Sequence, residues 1–236
     1  AGVEGGRITG VKAPVADGSV ADFAIVAARD ESDGVSLYIV KLDGDGVGRE
    51  VLESIDPTRD QARITFDGST AELLGTKEDG WHIASVVMDR AAILLAFEQL
   101  GGADRSLEMA RDYALERIAF GRQIGSFQAI KHMLADMYVS ATLARSNCYY
   151  GAWALVSGAA ERPVAAATAR VSATTAFQQC AKNNIQVHGG MGFTWAFDCH
   201  LYYRRSNALA LALGALSTWE SLLIERMSAG NAQSKA

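Results

Sequence analysis

The sequence has 236 residues, of which 49% are hydrophobic and 21% charged, with a formal net charge of −5. This length allows one or two domains with full cores, and the acidic balance argues against a nucleic-acid-binding protein, which usually carries a basic excess. No signal peptide and no apolar run of about 18 residues is visible, so we expect no membrane span.

The N-terminal part, residues 1–78, is predicted to be a small antiparallel β domain. It contains four short runs rich in β-branched and aromatic residues, which read RITGVKA, DFAIVAAR, VSLYIVKL and QARITFDG. Turn-forming clusters such as DGDGVG separate these runs. Because the chain lacks an initial Met and opens at AGVEGGRITGVK, a loop entering a strand, we expect the true N-terminus to be missing.

From residue 79 to residue 236 the apolar residues follow the helical period, which predicts an antiparallel four-helix bundle. In the first helix Ile93, Phe97 and Leu100 make an i, i+4, i+7 stripe, and the pair Gly101 and Gly102 indicates close helix packing. The other helices are predicted over about residues 126–157, from Pro163 to about Val187, and from about Asp198 to Met227. The fold class is therefore α+β.

The three cysteines, Cys148, Cys180 and Cys199, show no CxxC spacing and lie in or beside helical runs. An odd number argues against a disulfide framework, so we expect buried free thiols in a reducing compartment, the cytoplasm. No second histidine, cysteine or carboxylate stands at helical ligand spacing from His188, so we expect no metal site there.

The connection between the first two helices carries two arginines. In the stretch ERIAFGRQIGSFQAIKH, a helix is predicted to end near Phe120, and Ser126 is predicted to cap the next helix. Arg117 and Arg122 stand beside backbone N–H groups at a helix start, a combination suited to a phosphate or pyrophosphate. The alternative is a pair of solvated arginines.

A second motif, QVHGGMGFTW at residues 186–195, lies between two helical runs. Gly189, Gly190 and Gly192 would let the backbone approach another group closely, as in a phosphate cradle. The alternative is a plain turn between helices. His188 fits a packing or hydrogen-bonding role.

Asp89 is the third position that could carry chemistry. Together with Arg90 it falls near the start of a helix whose following residues are strongly apolar. The helix dipole favours an acid in the first turn, which would explain Asp89 without a function. The functional alternative is a carboxylate base beside an apolar pocket.

Two of these motifs in combination resemble the acyl-CoA dehydrogenase family. The stretch YALERIAFGRQIGSFQAIKHMLADM is followed about fifty residues later by QVHGGMGFT. The β-then-bundle order resembles the family's middle and C-terminal domains, while its N-terminal helical domain is absent from this chain. The resemblance implies an FAD enzyme that introduces a 2,3 double bond into an acyl-CoA thioester, with electron-transferring flavoprotein as electron acceptor.

The resemblance also assigns six residues to the cofactor. They match an FAD-contacting pair at a helix end, a glutamine after the loop, and the segment that holds the ADP part of FAD: Arg117, Phe120, Gln128, Gln186, Gly189 and Gly190. In the family, these groups generally reach an FAD bound mainly by a neighbouring subunit. The resemblance therefore implies a homotetramer or a heterotetramer.

The chain departs from the family at the catalytic base. Many members carry a Tyr-Glu-Gly-Thr motif, and here Leu213 stands about where the glutamate would be, before Gly214. A minority place the base directly before an arginine at the start of the first C-terminal-domain helix, which makes Asp89 the candidate catalytic residue. Aspartate is one methylene shorter than glutamate, and a displacement of about 1 Å can cost on the order of 100-fold in rate.

The β domain departs from the family as well. Where the family has an aromatic residue on the flavin ring and a hydroxyl near its reactive edge, this chain has Pro14 and Ala16. These changes favour two alternatives equally. Either the chain complements an unlike subunit in an α2β2 assembly, as in some bacterial enzymes of steroid side chains, or it forms a homotetramer that uses Asp89.

Further alternatives belong to other classes of protein. A structural or binding subunit without flavin would explain the lost contacts, and an unrelated four-helix bundle would make the motif match accidental. The related acyl-CoA oxidases are not separated from dehydrogenases by sequence. One hypothesis is that the small residues of NALALALGAL leave room for a bulky acyl group, and the alternative is an ordinary, well-packed alanine-rich helix.

Overall fold

The structure, a computed structural model, describes residues 1–30, 34–77 and 79–233. It divides into two compact units, Ala1–Val87 and Met88–Ala236. The boundary predicted from the sequence, after residue 78, falls on a residue outside this description. The α+β fold class is confirmed, because one unit holds a sheet and the other is helical.

Seven strands of the described chain form one sheet in the first unit. They are β1 (Gly2–Glu4), β2 (Arg7–Ala16), β3 (Phe23–Arg29), β4 (Val35–Lys41), β5 (Val47–Val51), β6 (Gln61–Thr70) and β7 (Glu72–Leu74). Their order is β5-β6-β2-β1-β3-β4-β7. Among the described residues the pairings are antiparallel, except for one parallel pair, Gly2 with Arg29, that joins β1 to β3.

The four strands predicted from β-branched runs are confirmed as β2, β3, β4 and β6. Their alternate side chains form the core of this unit, which includes Ile8, Val26, Val40, Ile64 and Phe66. The three remaining strands were not predicted, because each is short and has no apolar run of its own. Strands of this kind are specified by the neighbour they pair with rather than by their own residues.

Within the described residues, five α-helices come after the strands of the sheet: α1 (Gly80–Glu116), α2 (Gln128–Ser157), α3 (Arg162–His188), α4 (Cys199–Leu211) and α5 (Leu216–Gln233). A hairpin of two short strands, β8 (Ile118–Ala119) and β9 (Arg122–Gln123), joins α1 to α2. Two 3-10 turns, Ile124–Ser126 and Gly189–Phe193, precede α2 and follow α3. No single described helix has the length and hydropathy of a membrane span; the bent pair Cys199–Leu211 and Leu216–Ala229 meets that test only when combined.

The helices of the second unit alternate in direction. A Cβ on Gly151 of α2 would lie 3.3 Å from Ile93 near the start of α1, whereas Gly125, just before α2, lies against Ala114 near the end of α1. Asn147 of α2 donates to Ser172 of α3 at 2.5 Å, and Cys180 contacts the carbonyl of Met137. These pairs run in opposite order along neighbouring helices, so the antiparallel arrangement is confirmed for α1, α2 and α3.

The fourth predicted helix, from Asp198 to Met227, is wrong as a single element. The helix is interrupted between α4 and α5, where Leu213 and Gly214 have φ values of 62° and 99°. A right-handed helix does not continue through positive φ. The two axes are bent by 48°, yet both helices run along α3, so together they make the fourth member of the bundle.

Small side chains fill most of the helical core. Its buried residues are largely alanines on α1, α2 and α3, and Gly102 is needed there, because a Cβ would lie 2.3 Å from the Phe177 ring. Gly101 has nothing within 4 Å, so the predicted close packing holds for Gly102 alone. Ile93 and Leu100 are buried and Phe97 is partly buried, as the stripe predicted.

The predicted burial of the three cysteines is confirmed. All three thiols are free and buried. Burial raises the pKa of Cys180 to about 12 and those of Cys148 and Cys199 to about 11. The thiols are therefore protonated at neutral pH and serve as small apolar groups in the core.

Candidate cofactor-binding site

The hairpin after α1 presents an aromatic ring to solvent. The sequence predicted that this helix ends near Phe120, but α1 ends at Glu116. The hairpin follows at once, and the Ile124 N–H at its far end donates to the Arg117 carbonyl at 2.8 Å. Phe120 lies at the hairpin tip with φ 53°, and its side chain is 94% exposed. A large apolar side chain held in this way contributes nothing to the core of this chain.

The start of α2 differs from the prediction. Ser126 does not cap the helix, since its hydroxyl donates to the Gln123 carbonyl at 2.7 Å and the N-cap position is Phe127. The Arg122 guanidinium lies 4.1 Å from the centre of the Phe127 ring. Gln128, the first residue of α2, is exposed. The hairpin and the helix start thus expose two arginines, an aromatic ring and an amide in one short segment.

The structure explains two of the three glycines of the second motif and leaves Gly190 without a reason inside the chain. Gly192 is buried, and a Cβ there would lie 2.9 Å from the Ile185 carbonyl oxygen. Gly189 has a φ of 61°, which disfavours other residues. Gly190 has no positive φ and nothing within 4 Å of a Cβ. Nothing in the described chain requires glycine at Gly190, so its bare backbone is open to a group from outside.

Stacked aromatic rings join the two motifs. Tyr113, near the end of α1, stacks on His188, the last residue of α3, with ring centroids 4.1 Å apart. Phe197 packs edge-on against both rings. Arg117 follows Tyr113 by one helical turn and Gly189 follows His188 directly, so both motifs lie at the same end of the bundle.

The six residues predicted to contact FAD are therefore brought together at one end of the bundle, and all are exposed: Arg117, Phe120, Gln128, Gln186, Gly189 and Gly190. Sequence reasoning missed Tyr113 and Phe197, which hold the two segments in place. Tyr113 is the first residue of the stretch YALERIAFGRQIGSFQAIKHMLADM and Phe197 lies two residues after QVHGGMGFTW, but pattern alone does not indicate that they touch.

His188 has the packing and hydrogen-bonding role that was predicted. Its side chain is buried, and Nδ1 lies 2.9 Å from the Asn184 carbonyl oxygen. Burial lowers the pKa of His188, against a smaller opposing effect of that hydrogen bond. Among the described residues there is no group of three histidines, cysteines or carboxylates that could hold a metal.

Asp89 lies far from this end of the bundle. Asp89 is the tenth residue of α1, whose first turn contains no acid, so the explanation by the helix dipole is wrong. Its side chain is buried, and its Oδ1 accepts a hydrogen bond from Arg226 of α5 at 2.8 Å. The 24 residues from Asp89 to Tyr113 correspond to about 36 Å of helix. Burial raises the pKa of Asp89, while Arg226 and Arg162 act in the opposite direction.

The break between α4 and α5 is held by two side chains. The buried Arg170 donates to the carbonyls of Leu209 and Ala212, both at 2.6 Å, and the indole of Trp219 donates to the Leu213 carbonyl at 2.9 Å. Residues 206–219 contain no carboxylate. In the first unit, Pro14 and Ala16 are exposed positions of β2.

Three comparisons place the chain among known proteins. A family model described as acyl-CoA dehydrogenase, C-terminal domain, matches residues 78–227. Acyl-CoA dehydrogenase IpdE2 of Mycobacterium tuberculosis is 37% identical over 201 residues, which cover 84% of this chain and 55% of that protein. The chain spans about half the length of the curated relatives it matches.

Solved structures agree with this match. One described as electron transferring flavoprotein of Acidaminococcus fermentans has a TM-score of 0.90 at 26% identity and covers 96% of this chain and 62% of its own. A Tcur3481-Tcur3483 steroid ACAD variant has a TM-score of 0.87 at 28% identity, covering 98% of this chain and 62% of its own. With the matched domain and these relatives, the chain belongs to the acyl-CoA dehydrogenase family.

Proposed function

We propose that this chain is a subunit of an FAD-dependent acyl-CoA dehydrogenase that introduces a 2,3 double bond into an acyl-CoA thioester. We further propose that its share of the site is the contact with the ADP part of FAD. The observation that carries the proposal is Gly190, whose bare, exposed backbone no contact within the described chain explains. It lies at the same end of the bundle as the exposed Arg117 and Phe120.

Each of these residues fits one part of a dinucleotide. The Arg117 guanidinium would bind a phosphate oxygen through charge-assisted hydrogen bonds. Gly189 and Gly190 would let the cofactor approach the backbone, and Gln128 and Gln186 would offer amide donors and acceptors. When bound, FAD supplies the hydride acceptor. Because these side chains all face outward, they suit an FAD held mainly by a neighbouring subunit.

The base for the α-proton would then come from the partner subunit. Within this chain the stretch around Leu213 has no carboxylate, and Asp89 is tied to Arg226. We infer an assembly of unlike subunits in which this chain completes the cofactor site. The name Tcur3481-Tcur3483 of one relative joins two components, which favours this arrangement.

A bulky acyl group is the substrate class that we propose. One relative is described as a steroid ACAD, and the residues from Asn207 to Leu216 are mostly small or aliphatic. For the electron acceptor we propose electron-transferring flavoprotein. The likeness to a structure described under that name supports this choice.

A second candidate function is a self-sufficient dehydrogenase that uses Asp89 as its base. Removal of an α-proton needs a carboxylate of raised basicity in a dry site. Asp89 is 5% exposed and its pKa is raised by burial, which favours this candidate. The ion pair with Arg226 opposes it, because a paired carboxylate is a weaker base.

The test of the main proposal is FAD retention in the full-length protein, purified together with its partner subunit. Arg117→Ala should weaken FAD binding by about 10- to 150-fold, the loss expected for a charge-assisted hydrogen bond. Gly190→Ala should also release FAD while the chain folds normally, since its new Cβ meets nothing within 4 Å.

Gly101→Ala is the matched control, because Gly101 is exposed and has the same open surroundings on α1. It should leave FAD content unchanged and stabilise the helix by about 0.5–1 kcal/mol. Wild-type FAD content in both the Arg117 and the Gly190 variants would refute the cofactor role of this end of the bundle.

A further inference from the structure

His188 is held in one orientation at the foot of the glycine turn. Tyr113 stacks on one face of its ring, with centroids 4.1 Å apart, and Phe197 packs edge-on at 5.4 Å. Its Nδ1 lies 2.9 Å from the carbonyl oxygen of Asn184, one turn earlier in α3. These three contacts leave the imidazole little freedom to rotate.

The hydrogen bond to Asn184 determines the tautomer of the ring. A carbonyl oxygen only accepts, so Nδ1 must carry the proton. In the neutral imidazole the other nitrogen, Nε2, is then a hydrogen-bond acceptor. Burial keeps the ring neutral at physiological pH, because it lowers the pKa of His188.

Nε2 has no hydrogen-bond partner among the residues that the structure describes. Nδ1 of His200 is a fully buried atom without a hydrogen-bond partner, whereas Nε2 of His188 is not fully buried. An Nε2 that is neither bonded nor enclosed reaches the surface of the chain. It does so directly before Gly189, where the backbone turns into the exposed glycine segment.

We propose that Nε2 of His188 accepts a hydrogen bond from the ADP part of FAD, either from the adenine amino group or from a ribose hydroxyl. This inference rests on the proposed function. A neutral acceptor is unsuited to phosphate oxygens, which are acceptors themselves, so His188 and Arg117 contact different parts of the cofactor. His188 is then a seventh cofactor residue of this chain.

The test compares His188→Phe with His200→Phe in the full-length protein purified with its partner subunit, by measuring the dissociation constant of FAD. Phenylalanine keeps a ring between Tyr113 and Phe197 but has no acceptor. We expect FAD to bind about 3- to 10-fold more weakly to His188→Phe, the loss of one hydrogen bond. His200 is also buried and packs against an aromatic ring, Trp195, and its replacement should leave the FAD affinity unchanged.

His188→Gln distinguishes the loss of the acceptor from a folding defect. Its amide oxygen can replace the Nε2 acceptor, so this variant should recover part of the FAD affinity. An FAD analogue with hypoxanthine in place of adenine, and one with 2′-deoxyribose, identify the donor. The analogue that lacks the true donor should bind the wild type more weakly than FAD and bind His188→Phe as well as FAD does.

Two results would overturn the inference: wild-type FAD affinity in His188→Phe, or equal losses in the His188 and His200 variants. If Arg117→Ala and Gly190→Ala lose FAD while His188→Phe does not, this inference fails and the proposed function stands. If none of the three variants loses FAD, the proposed function fails as well.

Discussion

Asp89 is the residue for which a structural and a catalytic role make opposite predictions. Its carboxylate joins the start of α1 to α5 through Arg226, whose other Nη donates to the Pro163 carbonyl at 2.6 Å. The contact therefore links three helices of the second unit. Such a pair, with side chains 7% and 20% exposed, is partly shielded from water and salt.

We expect Asp89→Asn to keep turnover of the intact assembly within a few-fold of wild type, because the main proposal places the base in the partner subunit. The measurement is steady-state reduction of an electron acceptor by the acyl-CoA substrate. A loss of 100-fold or more with normal FAD content would instead support Asp89 as the base.

The stability of Asp89→Asn relative to wild type should depend on pH in a predictable direction. Because burial raises the pKa of Asp89 above its ordinary value of 3.8, the folded chain holds this proton more tightly than the unfolded chain. The contribution of Asp89 to the free energy of unfolding is therefore largest below that value and is lost as pH rises through the raised pKa. Asp89→Asn should gain stability relative to wild type as pH rises through this range, measured by urea unfolding.

At the scale of elements, the break between α4 and α5 is the feature that most needs support. Its carbonyls at Leu209 and Ala212 lie at a helix end, where no helical N–H can reach them. Arg170 supplies the donors from α3, and it also bonds to Gln99 of α1 at 2.7 Å. Among the described residues Arg170 has no carboxylate partner, and burial lowers its pKa to about 10.

Arg170→Met should lower the free energy of unfolding by roughly 2–5 kcal/mol, because two carbonyls and the Gln99 amide would lose their buried donor together. The measurement is urea denaturation followed by circular dichroism. Arg145→Met is the matched control: Arg145 pairs with Asp104 at 2.7 Å on a half-exposed surface, and we expect a loss below about 1 kcal/mol. Equal losses in the two variants would contradict the role assigned to Arg170.

At the scale of the whole molecule, the exposed apolar side chains indicate that the protein associates with other subunits. Helix α2 alone exposes seven large ones: Tyr138, Val139, Leu143, Tyr149, Tyr150, Trp153 and Val156. Clustered apolar surface of this kind usually marks an interface. It is consistent with the proposed tetramer, in which the cofactor end of each bundle would meet a neighbouring subunit.

We expect native mass spectrometry of the full-length protein, co-expressed with its genomic neighbours, to detect a mixed tetramer with two FAD. The chain expressed alone should bind none, since Pro14 and Ala16 replace the contacts that the family makes to the flavin ring. Four FAD in a tetramer of identical subunits would contradict the model of unlike subunits and favour the candidate with Asp89.

Much of the fold could be predicted because its causes are local. The alternation of β2, β3, β4 and β6 and the helical period from Gly80 onward are properties of short segments. The strands β1, β5 and β7 could not be predicted, because short strands without an apolar run depend on a neighbour for their definition. The order of the two motifs was sufficient to indicate the family.

What the sequence alone determined was the fold class, since it depends on the local pattern of residue types, and a resemblance that implied the family and the six candidate cofactor residues. The tertiary structure decided which residues meet: Tyr113 with His188, Asp89 with Arg226, and Arg170 with the end of α4. It also decided that Gly190, unlike Gly189 and Gly192, has neither a positive φ nor a close neighbour that would require glycine. These contacts join residues up to 137 positions apart, and a one-dimensional pattern carries no information about distances across the folded chain.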